Sequence, residues 1–169
     1  ADAVVAECRA RGVHAWAEAG DLSRAEDVEA LFGKGDEQFD GLDIFVGNHG
    51  VWPPDDTAIA DMRDEQWHTT RAANLHSMFY ACRAAAHRLR GDGRIVLVSS
   101  TAGQRGEAYH GDYAATKGAL ISLVKGFCVE LGDKGITVNA VAPGWVDTEM
   151  AASALVGGSR DRIARAIPI

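Results

Sequence analysis

Three short apolar runs constrain this chain more than anything else in it: Leu42 to Val46, Ile95 to Val98 and Ile136 to Val141. Each is shorter than a typical helix and is flanked by glycine, proline or small polar residues. That is the pattern of a strand buried on both faces. Stretches of helical spacing separate them. Buried strands alternating with helices predict an α/β chain whose parallel sheet is covered on both sides. With 169 residues the chain has the length of one domain and enough material for a real core.

The helical stretches are legible from their stripes. Residues 1–11 read as the end of an amphipathic helix with Val4, Val5 and Cys8 as its apolar stripe, stopped by Gly12. Val13 to Ala17 follows as a short strand. Ser23 and Glu26 have the spacing of a capping box, ahead of Val28, Leu31 and Phe32. Gly33 and Gly35 weaken the tail of that helix. A longer pattern runs from about Asp61 to Leu89 with a break near Asn74, and Gly91 and Gly93 end it. Residues 101–111 read as a polar, glycine-rich loop, and 112–131 as a long helix. After Pro143-Gly144 the tail is irregular and partly helical.

Composition narrows the classes of function. A net charge of -7 argues against a nucleic-acid or anionic-membrane surface. No apolar run has the length to span a bilayer. Cys8, Cys82 and Cys128 are widely spaced in apolar helical contexts, which suits small core residues in a reducing, cytoplasmic setting. The histidines lack metal-ligand spacing, so no metal site is expected.

In an open parallel sheet, ligands gather beyond the carboxyl ends of the strands. The exits here are Asp21, then Asn48-His49-Gly50, then Ser99-Ser100, then Pro143-Gly144. Any one of them is explained by turn chemistry; all of them along one edge favour a cofactor crevice. Tyr113 and Lys117 stand four apart at the start of the long helix, on one face. Such spacing is commonplace on a solvated helix, but a nearby ammonium also lowers the pKa of a phenol and fits it for proton transfer. Ser100 lies thirteen residues before Tyr113 and faces the same cleft, where its hydroxyl can hold a carbonyl oxygen. Ser99 reads as a capping residue. No Gly-x-Ser-x-Gly turn supports a hydrolase.

Ser100, Tyr113-x-x-x-Lys117, Asn48-x-Gly50, Asn74 and Pro143-Gly144-x-Val146-x-Thr148 together resemble the short-chain dehydrogenase/reductase family, in its order and spacing. Within it the chain looks most like the 3-oxoacyl-carrier-protein reductases, with a sugar or secondary-alcohol dehydrogenase as the neighbouring reading. The resemblance implies a Rossmann-like, doubly wound parallel sheet. It implies an oxidoreductase moving a hydride between NAD or NADP and a small carbonyl or secondary-alcohol substrate, active as a homodimer or homotetramer. Tyr113 would be the general acid/base and Ser100 would orient the substrate oxygen. Lys117 would lower the phenol's pKa and hold the nicotinamide ribose. Asn74 would mark the helix kink that holds a relay water. Asp21 and Leu22 would sit beside the adenine, and Asn48, His49 and Gly50 along the adenosine side. Val146 and Thr148, after Pro143 and Gly144, would meet the carboxamide. Trp52, Trp145 and the 101–111 loop would shape the substrate pocket.

Two departures stand out. His49 occupies a position where the family usually has alanine. The chain also lacks the family's glycine-rich phosphate loop, and it stops at Ile167-Pro168-Ile169. It therefore reads as a single partial domain over 1–169, with the first two strands and the last strand absent. On that reading the Val13 segment either pairs against the Leu42 strand or packs loosely, and cofactor binding by this stretch alone is poor. The competing reading is a non-catalytic fragment or binding module that keeps the scaffold without the phosphate loop.

Overall fold

The computed structural model describes residues 1–152 and 159–166. In chain order the elements are α1 (Asp2–Ala10), α2 (Ala25–Gln38), β1 (Leu42–Gly47) and α3 (Asp64–Arg71). A π-helical turn (Ala72–His76), α4 (Ser77–Arg88) and β2 (Leu89–Val98) follow. Then come α5 (Thr101–Arg105), α6 (Gly111–Leu131), β3 (Thr137–Val141) and α7 (Ser159–Ala166). Short 3-10 turns lie at Gly132–Lys134 and Glu149–Ala151. The expectation about Ile167-Pro168-Ile169 lies outside the described residues.

The three apolar runs form one parallel sheet in the order β1-β2-β3, as alternation with helices requires. Phe45 pairs with Ile95, and Ile95 in turn with Val138. The central strand seats Ile95 and Leu97 in the core, against Met78 and Cys82 of α4 and Leu120 of α6. Burial pushes the Cys82 thiol up to about 12, which keeps it an inert core residue. Helix α2 packs against α4, with Phe32 against Phe45 of β1. There Arg88 reaches both Glu29 and Asp36, and its guanidinium lies 5.4 Å from the centre of the Phe32 ring.

Several expectations are corrected. The sheet is not covered on both faces by the described residues: α4 and α6 lie on one side, while Ile44 and Val46 on the other are 62% and 56% exposed. Alternate residues of a strand face opposite sides, so a single helical layer buries only every second side chain. Val13 to Ala17 is not a strand. It runs as irregular chain beside α1, with Arg9 donating to the Ala15 carbonyl and His14 against Phe39, and Val13 is 55% exposed. Without a neighbouring strand its alternation has no ladder to join, which is the loosely packed outcome.

The Ser23–Glu26 capping box does not form. The Ser23 amide and hydroxyl both donate to Asp21 Oδ1, and the helix starts at Ala25 after an extended Arg24. Helix α2 runs on through Gly33 and Gly35 to Gln38. Gly91 and Gly93 do not end α4; it stops at Arg88, and both glycines lie within β2. The stretch read as a loop after Ser100 opens with the one-turn helix α5. The break near Asn74 is real and takes the form of the π turn.

Candidate active site

Three strand exits and one helix face meet in a cleft of about 370 Å³. Asn48 and Gly50 follow β1, Ser99 and Ser100 follow β2, and Pro143 and Gly144 follow β3. Val146 and Thr148 continue that third exit, and Tyr113 and Lys117 enter from the first turns of α6. The ladder carries on past the strands: the Ser99 amide donates to the Val141 carbonyl and Thr101 to Pro143. Thus the exits of β2 and β3 are held beside one another before any side chain is considered.

Of the two serines, Ser100 and not Ser99 is the helix-capping residue. Ser99 Oγ donates to the Lys117 carbonyl at 2.7 Å, tying the exit of β2 to α6. Ser100 is the N-cap of α5, its Oγ accepting from the Ala102 amide at 3.1 Å. The same hydroxyl acts on Tyr113, drawing the phenol's pKa down. Helix α5 lies so close to α6 that a Cβ on Gly103 would come within 2.6 Å of the Lys117 carbonyl carbon. That contact sets the depth at which Ser100 faces Tyr113.

Tyr113 is 8% exposed and Lys117 4%. Lys117 Nζ donates to the Val98 carbonyl at 2.9 Å and stands 5.8 Å from the centre of the Tyr113 ring. Burial pushes the ammonium's pKa below the usual lysine range. The expected lowering of the phenol's pKa by Lys117 is not what the structure shows. Burial pushes Tyr113 up, and the force acting the other way is the hydrogen bond with Ser100.

Asn74 lies behind the cleft rather than in its wall. The π turn aims its amide at Val51: Oδ1 accepts from the Val51 amide at 2.7 Å, and Nδ2 donates to the Val51 carbonyl at 2.9 Å. Nδ2 also reaches Thr116 Oγ1 at 3.3 Å. Asn74 thereby clamps the exit of β1 to α6. Gly50 passes through the gap, where a Cβ would meet Lys117 Nζ at 3.0 Å. Asp21, Leu22 and His49 are not among the residues lining the cleft. Asp21 is fully exposed, its pKa held low first by the Ser23 hydroxyl and then by the Ser23 amide.

Over residues 1–169 the chain matches the family model described as enoyl-(acyl carrier protein) reductase. A short-chain dehydrogenase from Burkholderia cenocepacia, solved in complex with NADP, superposes with a TM-score of 0.86 at 36% identity over 95% of this chain. The chain belongs to the short-chain dehydrogenase/reductase family. It is 33% identical, over its whole length, to a 3-oxoacyl-[acyl-carrier-protein] reductase of Staphylococcus aureus, and 35% identical over 89% of its length to one from Synechocystis. It spans 68% and 61% of those two relatives and 66% of the Burkholderia chain.

This short-chain dehydrogenase/reductase also uses residues that the sequence reading passed over. Asp112, buried one position before Tyr113, caps the Tyr113 amide with Oδ1 at 2.8 Å. Its Oδ2 accepts from Thr70 Oγ1 at 2.8 Å and from Gln66 Nε2 at 3.2 Å, so it fastens α3 to the start of α6. An acidic residue in a helix's first turn was the available signal, and it is too common to single out. His110 is buried with its Nε2 3.0 Å from Asp56. No spacing pattern announces that pair, which lies 54 residues apart in sequence.

Proposed function

We propose that this chain carries the catalytic half of an oxidoreductase that interconverts a carbonyl and a secondary alcohol with NAD or NADP. The observation that carries the reading is a buried phenol and a strand-end serine lining the same cleft as a buried lysine. Such a pair holds a carbonyl oxygen from two sides and gives it a proton.

The cleft suits the nicotinamide end of such a cofactor. Gly144 lines it, and a Cβ there would meet nothing within 4 Å, so the backbone stands open to a flat ring. Thr148 and Val146 offer polar and apolar groups beside it, and Lys117 offers an ammonium. The sequence has no Gly-x-x-x-Gly-x-Gly turn for the pyrophosphate. When bound, the cofactor supplies or accepts the hydride. Ser100 holds the substrate oxygen, and Tyr113 donates its hydroxyl proton to that oxygen during reduction. In the reverse direction the phenolate takes the proton back. Lys117 would hold the nicotinamide ribose, and Asn74 keeps Gly50 and Val51 in place behind it, at the widened turn where we put the relay water.

The substrate is a small carbonyl or alcohol. The free thiols suit a reducing, cytoplasmic setting. A homodimer or homotetramer fits the exposed Phe79 on α4 and Val129 on α6. In the full-length protein, Tyr113→Phe should lower turnover by about a hundredfold or more while leaving NADPH or NADH binding within a factor of about two. Steady-state kinetics with a fluorescence titration of both cofactors reads the two effects separately. Near-normal turnover in the variant would refute the role.

A further inference from the structure

The cleft is lined by two unlike kinds of residue. Some are the small and polar strand exits; the others include the indoles of Trp52 and Trp145. Trp52 lies edge to face with Tyr113, ring centres 4.7 Å apart at 67°. It meets Trp145 at 6.0 Å and 60°. Behind it His110 is 3.9 Å away, and His110 is itself held by Asp56. Trp52 is therefore wedged among three rings and cannot turn aside without breaking those contacts. The two indoles form a fixed corner directly beside the Tyr113 phenol. A planar ring stacked on one face of that corner presents its edge to the other, the pair geometry that aromatic quadrupoles favour.

The charges among the described lining residues are already matched. Arg105 is 3.7 Å from Glu107, and both line the cleft. The other described lining cation, Lys117, is buried and donates to the Val98 carbonyl, so neither is left over for a phosphate-bearing carrier arm. We propose that the substrate carries an uncharged aromatic ring bonded to its reacting carbon, seated in the Trp52–Trp145 corner: an aryl ketone or the matching benzylic alcohol. The proposal rests on the oxidoreductase reading above and narrows its substrate.

The test uses the full-length protein with NADPH and NADH. Its probes are acetophenone and 2-octanone, ketones of equal carbon number but opposite shape, and an acetoacetyl thioester. Wild type should favour acetophenone over 2-octanone in kcat/KM. Trp145→Ala should cut that preference about 3- to 10-fold, chiefly through KM, and Trp145→Phe should restore most of it. Trp52→Phe, which keeps a ring in the packed position, should retain the preference. A wild-type preference for 2-octanone or the thioester, or a preference unchanged in Trp145→Ala, overturns the proposal. Saturation-transfer NMR of acetophenone on the same proteins separates the two readings. If no carbonyl is reduced but acetophenone binds and Trp145→Ala abolishes binding, the corner stands and the oxidoreductase reading falls. If acetophenone does not bind wild type, the corner falls whatever the turnover.

Discussion

Tyr113 takes its acidity from two opposed surroundings. Burial raises its pKa above the ordinary 10.0, and the hydrogen bond with Ser100 pulls the other way. Ser100→Ala removes the pull and leaves the burial, so the phenol should titrate at still higher pH. An ultraviolet difference titration, with Tyr113→Phe subtracted to remove Tyr80 and Tyr109, reads this directly. The sign carries over to stability. A group whose folded pKa is raised adds stability below its unfolded value and loses it as pH climbs through the folded one. Tyr113 should therefore weaken the fold only above pH 10.0, and Ser100→Ala should widen that window. The residue types were legible, since a strand-end serine and an i, i+4 Tyr–Lys pair are visible in one dimension. The direction of the shift was not. It depends on burial and on where Lys117 Nζ is spent, here on the Val98 carbonyl.

Among the elements, the crossing of α5 and α6 governs the site most directly. Gly103 faces backbone atoms of Lys117 and Gly118 at 2.6 and 2.7 Å from an added Cβ, and backbone cannot rotate away. Gly103→Ala should force the helices apart, costing about 1–3 kcal/mol in urea unfolding and moving Ser100 relative to Tyr113. Gly33→Ala is the internal comparison. Gly33 lies within α2 with nothing within 4 Å, so alanine there should stabilise by about 0.5–1 kcal/mol. One substitution has opposite signs according to what lies across the gap. This also explains why α5 was missed from sequence. Five residues show no period, and two of its neighbourhood's glycines, Gly103 and Gly106, weigh against a helix. Its start depends on the Ser100 cap, and its position on a helix that begins ten residues later. Val13 to Ala17 failed for the converse reason: strand-like alternation is a local property, but a ladder needs a neighbour.

At the scale of the molecule, one face of the sheet carries the core and the other carries Ile44 and Val46 in the open. The outer edge of β1 pairs with nothing among the described residues. An apolar strand with a free ladder edge is a site for self-association. The chain should therefore form concentration-dependent oligomers in light scattering, and Ile44→Lys should suppress them without altering the helical circular dichroism. The sheet, its parallel order and the strand-exit site were legible because apolar runs and glycine-rich exits are local. Which exits would share the cleft was not: Asp21, Leu22 and His49 fall outside it, and Asp112 and His110 matter through partners far away in sequence. The π turn between α3 and α4 bears on the same global arrangement. Helix α3 answers to α6 through Thr70 and Asp112, and α4 answers to the sheet through Met78 and Cys82. A continuous α-helix advances about 100° per residue and has a single phase with which to satisfy both neighbours. The wider turn at Ala72–His76 works as a vernier, resetting the angle between two helices that share one axis. Removing one residue there would act as a rotation more than a shortening. It would swing Thr70 off Asp112 or Met78 off the sheet, and Asn74 off the loop that holds Gly50.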